Sequence, residues 1–304
     1  MSKHVAMIYG GWSTERDVSL STGREVSKAL REKGYIVSEI DATRDLAHQI
    51  TSLSPKPDVI FNALHGRWGE DGAVQGLLEI LNIPYTHSGV RASAIAMDKM
   101  SAKALFHEHG LPCARHVYVS RDDIKNGIAL PPPYVLKPNN EGSSVGVEII
   151  LNAEEEENML ARDWVHGDGV MQEEYVAGRE MTVAVKDGEA MEVIEILTGN
   201  HAFYDYQSKY ANGGSQHIIP ADIPSALRTR VRDCAEQAYR VLGCKGVARA
   251  DFRYDPEHDQ LAILEINTQP GLTPTSLVPD AARHDGMSFA DIVAWMVEDA
   301  TCER

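Results

Sequence analysis

A chain of 304 residues, 43% apolar and 24% charged, is long enough for two or three domains and is not a disordered polymer. Its 45 acidic against 29 basic side chains leave a formal charge of −16. That balance excludes electrostatic binding to nucleic acid or an anionic membrane and suits an enzyme of small molecules. The opening MSKHVAMIYGG is too short in apolar residues for a signal-peptide core, and no run approaches the roughly 18 apolar residues of a membrane span. Cys113, Cys234, Cys244 and Cys302 fall in no metal-binding spacing, so a cytoplasmic chain with free thiols is expected, Cys234 and Cys244 serving as core packing.

In chain order, HVAMIYG, YIVSEID and VIFNAL read as apolar strands, and VSLSTGREVSKALREKG between the first two as a helix closed by Gly34. Strand-helix-strand alternation predicts a parallel, doubly wound sheet. GGWSTERDVS follows the first strand and opens its helix, the ligand edge of such sheets. Glu15 there is placed either to hold an ammonium group or to serve as a helix-start acid. ALHGRWGEDGAVQG puts His65 at the same edge, after the third strand. IPYTHSGV marks a boundary region, and MDKMSAKALFHEHG a helix ending at Gly110.

YVLKP, SVGVEII and VMQEEYV read as strands, with the acidic run 154–157 starting a solvated helix. KPNNEGSSVGV, beginning at Lys137, reads either as a turn or as a flexible loop whose backbone N–H groups cradle phosphate. QEEYVAGRE either is structural or presents Glu173, Glu174, Tyr175 and Val176 to a purine, with Glu180 near ribose hydroxyls. EMTVAVKDGEAMEVIEIL is a hairpin turning at Asp187-Gly188. Residues 198–224 show no clear periodicity; connections that long are functional lids or disordered, and the aromatic content favours the former. SALRTRVRDCAEQAYRVLG is an amphipathic helix, with Leu227, Val231, Ala235, Ala238 and Leu242 on one face. The last helix begins at Ser288, with Asp291 completing a capping box.

VARADFRY and QLAILEIN, between those two helices, carry the chemistry. Alternation puts Arg249, Asp251 and Arg253 on one face of the first strand. In the second it puts Glu265 and Asn267 together, with Leu264 and Ile266 turned into a core. If the strands pair, Asp251, Glu265 and Asn267 converge as oxygen donors suited to Mg²⁺ or Mn²⁺. Spacing alone equally allows a solvent-facing polar strand edge.

GGWSTERDVS, HGRWGEDG, MDK, KPNNEGSSVG, FYDYQSKY, RADF and EINTQPGLTPTSLVP, in this order, closely resemble the D-alanine–D-alanine ligase family of the ATP-grasp superfamily, over about residues 4–298. The resemblance implies an α/β, three-domain ATP-grasp architecture. Residues 1–97 would form an N-terminal doubly wound parallel-sheet domain that binds the first D-alanine and dimerises. Residues 98–182 would be the central subdomain, and 183–304 the C-terminal subdomain with lid loop 198–224. It implies that ATP phosphorylates one D-alanine and that the amine of a second displaces phosphate, giving D-alanyl-D-alanine for peptidoglycan precursors.

By resemblance, Asp251, Glu265 and Asn267 hold two Mg²⁺ or Mn²⁺ ions. Lys99, Lys137 and Lys209 bind phosphates, with the loop 142–146 over them. Glu173, Glu174 and Val176 surround adenine, and Glu180 the ribose. Glu15 holds the first ammonium and His65 lies near its carboxylate. Arg249 stabilises the tetrahedral oxyanion. Gly271, Ser276 and Leu277 fix the second carboxylate, and Ser143 and Tyr210 link to Glu15 to close the lid. Tyr210 favours an amine over a hydroxyl as second nucleophile. Partners are D-alanine and ATP, in a homodimer, with no nucleic acid or membrane. Two features depart from or lie outside the pattern: Glu174 stands where the family's hinge carries lysine, and Gln269 has no assigned role. The rivals are another ATP-grasp carboxylate–amine ligase, such as a glutathione synthetase-like enzyme, and a nucleotide-binding module without turnover.

Overall fold

The computed structural model of the protein describes residues 2–142, 146–197 and 215–304. Strands β1 (His4–Tyr9), β2 (Ile36–Asp41) and β3 (Val59–Asn62) form a parallel sheet in the order β2-β1-β3. The apolar run of β1 is explained by burial on both faces. Val5 and Met7 pack with the helix Arg16–Glu32, through Val26 and Leu30, while Ala6 and Ile8 pack with Leu46, Ile50, Val74 and Leu78. IPYTHSGV joins this unit, because Tyr85 bridges Ile60 on one side and Thr301 on the other.

A second, antiparallel sheet runs β4-β7-β5-β6, with β4 at His116–Val119, β5 at Tyr134–Lys137, β6 at Glu148–Ile150 and β7 at Val170–Glu174. The third runs β10-β9-β8-β11-β12, also antiparallel, with β8 at Arg179–Lys186, β9 at Glu189–Leu197, β10 at Gln216–Ile218, β11 at Val247–Asp255 and β12 at Gln260–Asn267. Asp187 and Gly188 turn the β8–β9 hairpin with φ of 52° and 82°, the two positive values that a type I′ turn demands. The helix Ser225–Leu242 covers this sheet through the five residues expected, with Cys234 and Cys244 in the same core. All four cysteines are free thiols.

Three local expectations need revision. The predicted helix 97–110 begins at Lys99: Asp98 is extended and caps the helix Lys99–Glu108 by accepting from the Ser101 N–H. Within the aperiodic stretch 198–224, Gln216–Ile218 is an edge strand on β9; so short a strand shows no period. The third revision concerns β12. Leu264 is only half-buried, whereas Ile263 is fully buried beside Ile266. The register shows why: Asp251 faces Glu265 but Phe252 faces Ile263, so Leu264 is the extra residue of a β-bulge. A bulge offsets the alternation by one residue and lets both Ile263 and Ile266 enter the core while Glu265 stays on the polar face.

The chain end returns to the first sheet. The helix Phe289–Asp299, with its Ser288/Asp291 capping box, packs on Arg16–Glu32, and Ile292, Val293, Met296 and Val297 share a core with Val5 and Met7. Phe252→Ala, which empties a fully buried site, is expected to cost about 3–5 kcal/mol. Ser288→Ala, which removes the cap, is expected to cost about 1 kcal/mol. Denaturant midpoints measure both, and equal losses would contradict this ranking.

Candidate active site

The pairing of β11 with β12 sets Asp251 opposite Glu265 and Arg249 opposite Asn267. The Asp251 carboxylate accepts from Arg249 Nε at 2.8 Å and Nη2 at 2.7 Å, from Thr182 Oγ1 at 2.6 Å and from Asn267 Nδ2 at 3.0 Å. With its amide nitrogen donating, Asn267 has its carbonyl oxygen to offer elsewhere. Glu265 lies 3.7 Å from Lys99 Nζ and is about a third exposed. Two carboxylates and a carboxamide on one polar face form a hard oxygen donor set that fits Mg²⁺ or Mn²⁺. No group of three or more His, Cys, Asp or Glu side chains suited to a metal occurs among the described residues.

Lys99 is aimed by the loop after β5. Asn139 accepts the Lys99 N–H through its backbone and the Met100 N–H through its side chain, and its amide donates to Asp98 at 2.8 Å. Lys99 Nζ then donates to the Glu141 carbonyl at 2.6 Å. Lys137, the last residue of β5, meets Glu173 Oε2 at 2.5 Å. The other oxygen of Glu173 meets Lys103, a fully buried lysine that no motif had marked. Burial opposes ionisation of Glu173, yet the two ammonium groups outweigh it and hold its carboxyl down at about 2. Further along this edge, the Glu174 N–H donates to the Arg115 carbonyl. Arg253 donates to the Val176 carbonyl at 3.1 Å and pairs with Glu180 at 3.4 Å.

Beyond Arg249 and Asn267 opens a cavity of about 440 Å³, whose wall includes Glu15, His65, Glu70, Gly142, Gly271, Ser276 and Leu277. It therefore gathers side chains from both ends of the sequence. Glu15 is buried at the start of its helix. Gly66, at φ 71°, lies so close that a Cβ there would stand 2.5 Å from the Glu15 carboxylate. His65 is held by Glu70 at Nδ1, 2.8 Å away, and by Thr22 at Nε2, 3.1 Å away. Burial by itself lowers the pKa of the imidazolium, but Glu70, assisted by Glu15, outweighs that and raises it. Burial also raises Glu70 against the pull of His65. The geometry favours a raised His65, because its ring faces two carboxylates.

On the opposite wall, Ser276 precedes the helix Leu277–His284. Its hydroxyl bonds the Thr273 N–H and Oγ1, and Ser276 and Leu277, at the start of this helix, line the cavity. Gln269 connects the two walls. It is buried, donates to the Leu64 carbonyl and accepts from Asn62 Nδ2 at 2.8 Å. No sequence signal marks Gln269, since its partners lie some two hundred residues away. Glu70, by contrast, sits in the quoted glycine motif five residues after His65 and could have been paired with it. Ser143, Lys209 and Tyr210 lie outside the described residues.

The chain is similar to known proteins along nearly its whole length. A family model described as D-ala D-ala ligase C-terminus matches residues 105–298, and the corresponding N-terminus model matches 43–88. The D-alanine–D-alanine ligase of Acidiphilium cryptum is 54% identical over 300 residues, 99% of either chain. That of Parvibaculum lavamentivorans is 54% identical over 308 aligned residues, 100% of this chain and 99% of the other. The crystal structure of the Bacillus anthracis ligase complexed with ATP superposes with a TM-score of 0.82 at 30% identity, covering 98% of this chain and 97% of that one. The VanG D-Ala:D-Ser ligase of Enterococcus faecalis gives 0.81 at 27% identity, over 98% and 99%.

Replacing Glu70 with glutamine removes the charge facing His65 and is expected to lower the pKa of that histidine. A ring-nitrogen NMR titration measures it; an unchanged or raised value would show that the Glu70 charge is not what holds the imidazolium.

Proposed function

The chain belongs to the D-alanine–D-alanine ligase family, and from that premise we propose that it joins two D-alanines to D-alanyl-D-alanine at the expense of ATP, for peptidoglycan precursor synthesis. The observation that supports this most is the position of Arg249 and Asn267: one side of them carries Asp251, Glu265 and the lysines, the other the cavity of Glu15 and His65. A phosphorylating end and an amino-acid end therefore meet at one arginine.

The chemistry needs that junction. A carboxylate is a poor electrophile, because its leaving group would be oxide, and phosphorylation supplies a better one. Lys99, Lys137 and Lys209 bind the phosphates; Glu173, Glu174 and Val176 border the adenine; Glu180 takes the ribose. Asp251, Glu265 and Asn267 would hold two Mg²⁺ or Mn²⁺ ions, which when bound offset the repulsion between carboxylate and triphosphate. Glu15 binds the ammonium of the first D-alanine, and His65 lies near its carboxylate, which is directed toward Arg249. The second D-alanine is held by its carboxylate at Gly271, Ser276 and the N–H groups opening the helix at Leu277, a natural anion site. Its amine attacks the acyl phosphate, Arg249 faces the oxyanion that develops, and phosphate leaves. Ser143 and Tyr210 join Glu15 to close the site and exclude water.

Further parts of the reading are domains at 1–97, 98–182 and 183–304, a cytoplasmic location, and a homodimer formed through the first domain. No described helix is long and apolar enough to cross a membrane.

Phosphate release from ATP and Mg²⁺ should require D-alanine; release independent of any amino acid would favour another nucleotide enzyme. Arg249→Ala is expected to lower turnover on the order of 100-fold or more while ATP affinity changes far less. Glu265→Gln should keep the fold and abolish Mg²⁺-dependent turnover, and normal turnover would remove Glu265 from the metal shell. With D-lactate and D-alanine supplied together at neutral pH, the dipeptide should dominate; a dominant depsipeptide would refute the preference for an amine.

A further inference from the structure

Lys103 lies on the helix that begins with Lys99, and its side chain has no exposure to solvent. It cannot touch a ligand. Its ammonium meets one oxygen of Glu173, itself 1% exposed, and donates to the Ile263 carbonyl at 3.1 Å. The second oxygen of Glu173 takes Lys137, whose side chain is 13% exposed and stands at the phosphate end of β5. A lysine is buried this completely only when it is paired, and the pair must repay the desolvation of both groups. Here one buried carboxylate serves two ammoniums, so the cluster keeps one positive charge. Of its three members, Lys137 is the most exposed.

Resting on the ligase reading, we infer that Lys103 is a positioning residue for the nucleotide. By neutralising Glu173 from the interior, it prevents that carboxylate from cancelling Lys137, whose charge is then left for the phosphates. The bond to Ile263 adds a second effect. Ile263 precedes the bulged Leu264, so Lys103 also braces the segment of β12 that turns Glu265 toward the same phosphates. One buried ammonium thus ties a strand of the four-stranded sheet to a strand of the five-stranded sheet. A side chain that merely filled space would do neither.

The test is calorimetric titration of the full chain with ADP and Mg²⁺, which reads binding without turnover. Lys103→Met is expected to weaken ADP binding roughly tenfold or more, because Glu173 then pairs with Lys137 alone and the surplus charge is lost. The KM for D-alanine should stay within about twofold. Lys103→Met combined with Glu173→Gln restores the surplus charge and should recover ADP binding to within about threefold of the Glu173→Gln variant. A folded Lys103→Met protein that binds ADP as the unaltered chain does would overturn the inference. So would a double variant that binds ADP roughly tenfold or more weakly than Glu173→Gln does. Should the single variant fail to fold, the double variant, in which the buried ion pair becomes two neutral groups, carries the test against Glu173→Gln by the same criterion. Failure of the unaltered chain to bind ADP at all would overturn the ligase reading as well, which separates the two failures.

Discussion

The register between β11 and β12 is the constraint on which the rest of the site depends. Asp251 opposite Glu265 and Arg249 opposite Asn267 bring four polar side chains to one face of two strands. The other face carries Ala250, Phe252, Ile263 and Ile266, all within the largest core. A slip of one residue would turn the carboxylates into that core, so burial of the apolar face fixes the polar one. The bulge at Leu264 makes the two demands compatible, since strict alternation would have placed Ile263 beside Glu265 on the polar face.

A chain with a formal charge of −16 must still bind a triphosphate. Positive charge is concentrated locally at the candidate site. Lys99, Lys103, Lys137 and Arg249 cluster around the carboxylates of Glu173, Asp251 and Glu265, mostly at low exposure, where solvent screens them little. Arg249 and Asp251 form a bidentate pair, which holds the guanidinium in one orientation at the mouth of the cavity. Elsewhere, exposed ion pairs such as Arg16–Asp41 and Lys3–Glu298 contribute little to stability.

The cavity itself is a product of chain return. Glu15 and His65 come from the loops after β1 and β3, whereas Gly271 and Ser276 follow β12. Gln269 fastens one set to the other through Asn62 and the Leu64 carbonyl, and the helix Phe289–Asp299 packs beneath on Arg16–Glu32. The spacing between the two walls of the cavity is thereby set by buried hydrogen bonds rather than by a flexible linker.

The sequence by itself determined the period of most strands and of the longest helices, the residue types at the site and, through motifs in fixed order, the family. Those features are local: alternation in VARADFRY, the capping residues at Ser288 and the turn at Asp187-Gly188 are readable within a few positions. The tertiary structure alone decided the bulge at Leu264, the burial of Lys103 against Glu173, and the roles of Asn139 and Gln269. Each of these depends on a partner brought near by folding, as Lys103 is to Ile263 across 160 positions. A buried charge or amide is stable only where its partner stands, and no pattern of neighbours along the chain can specify a partner so remote.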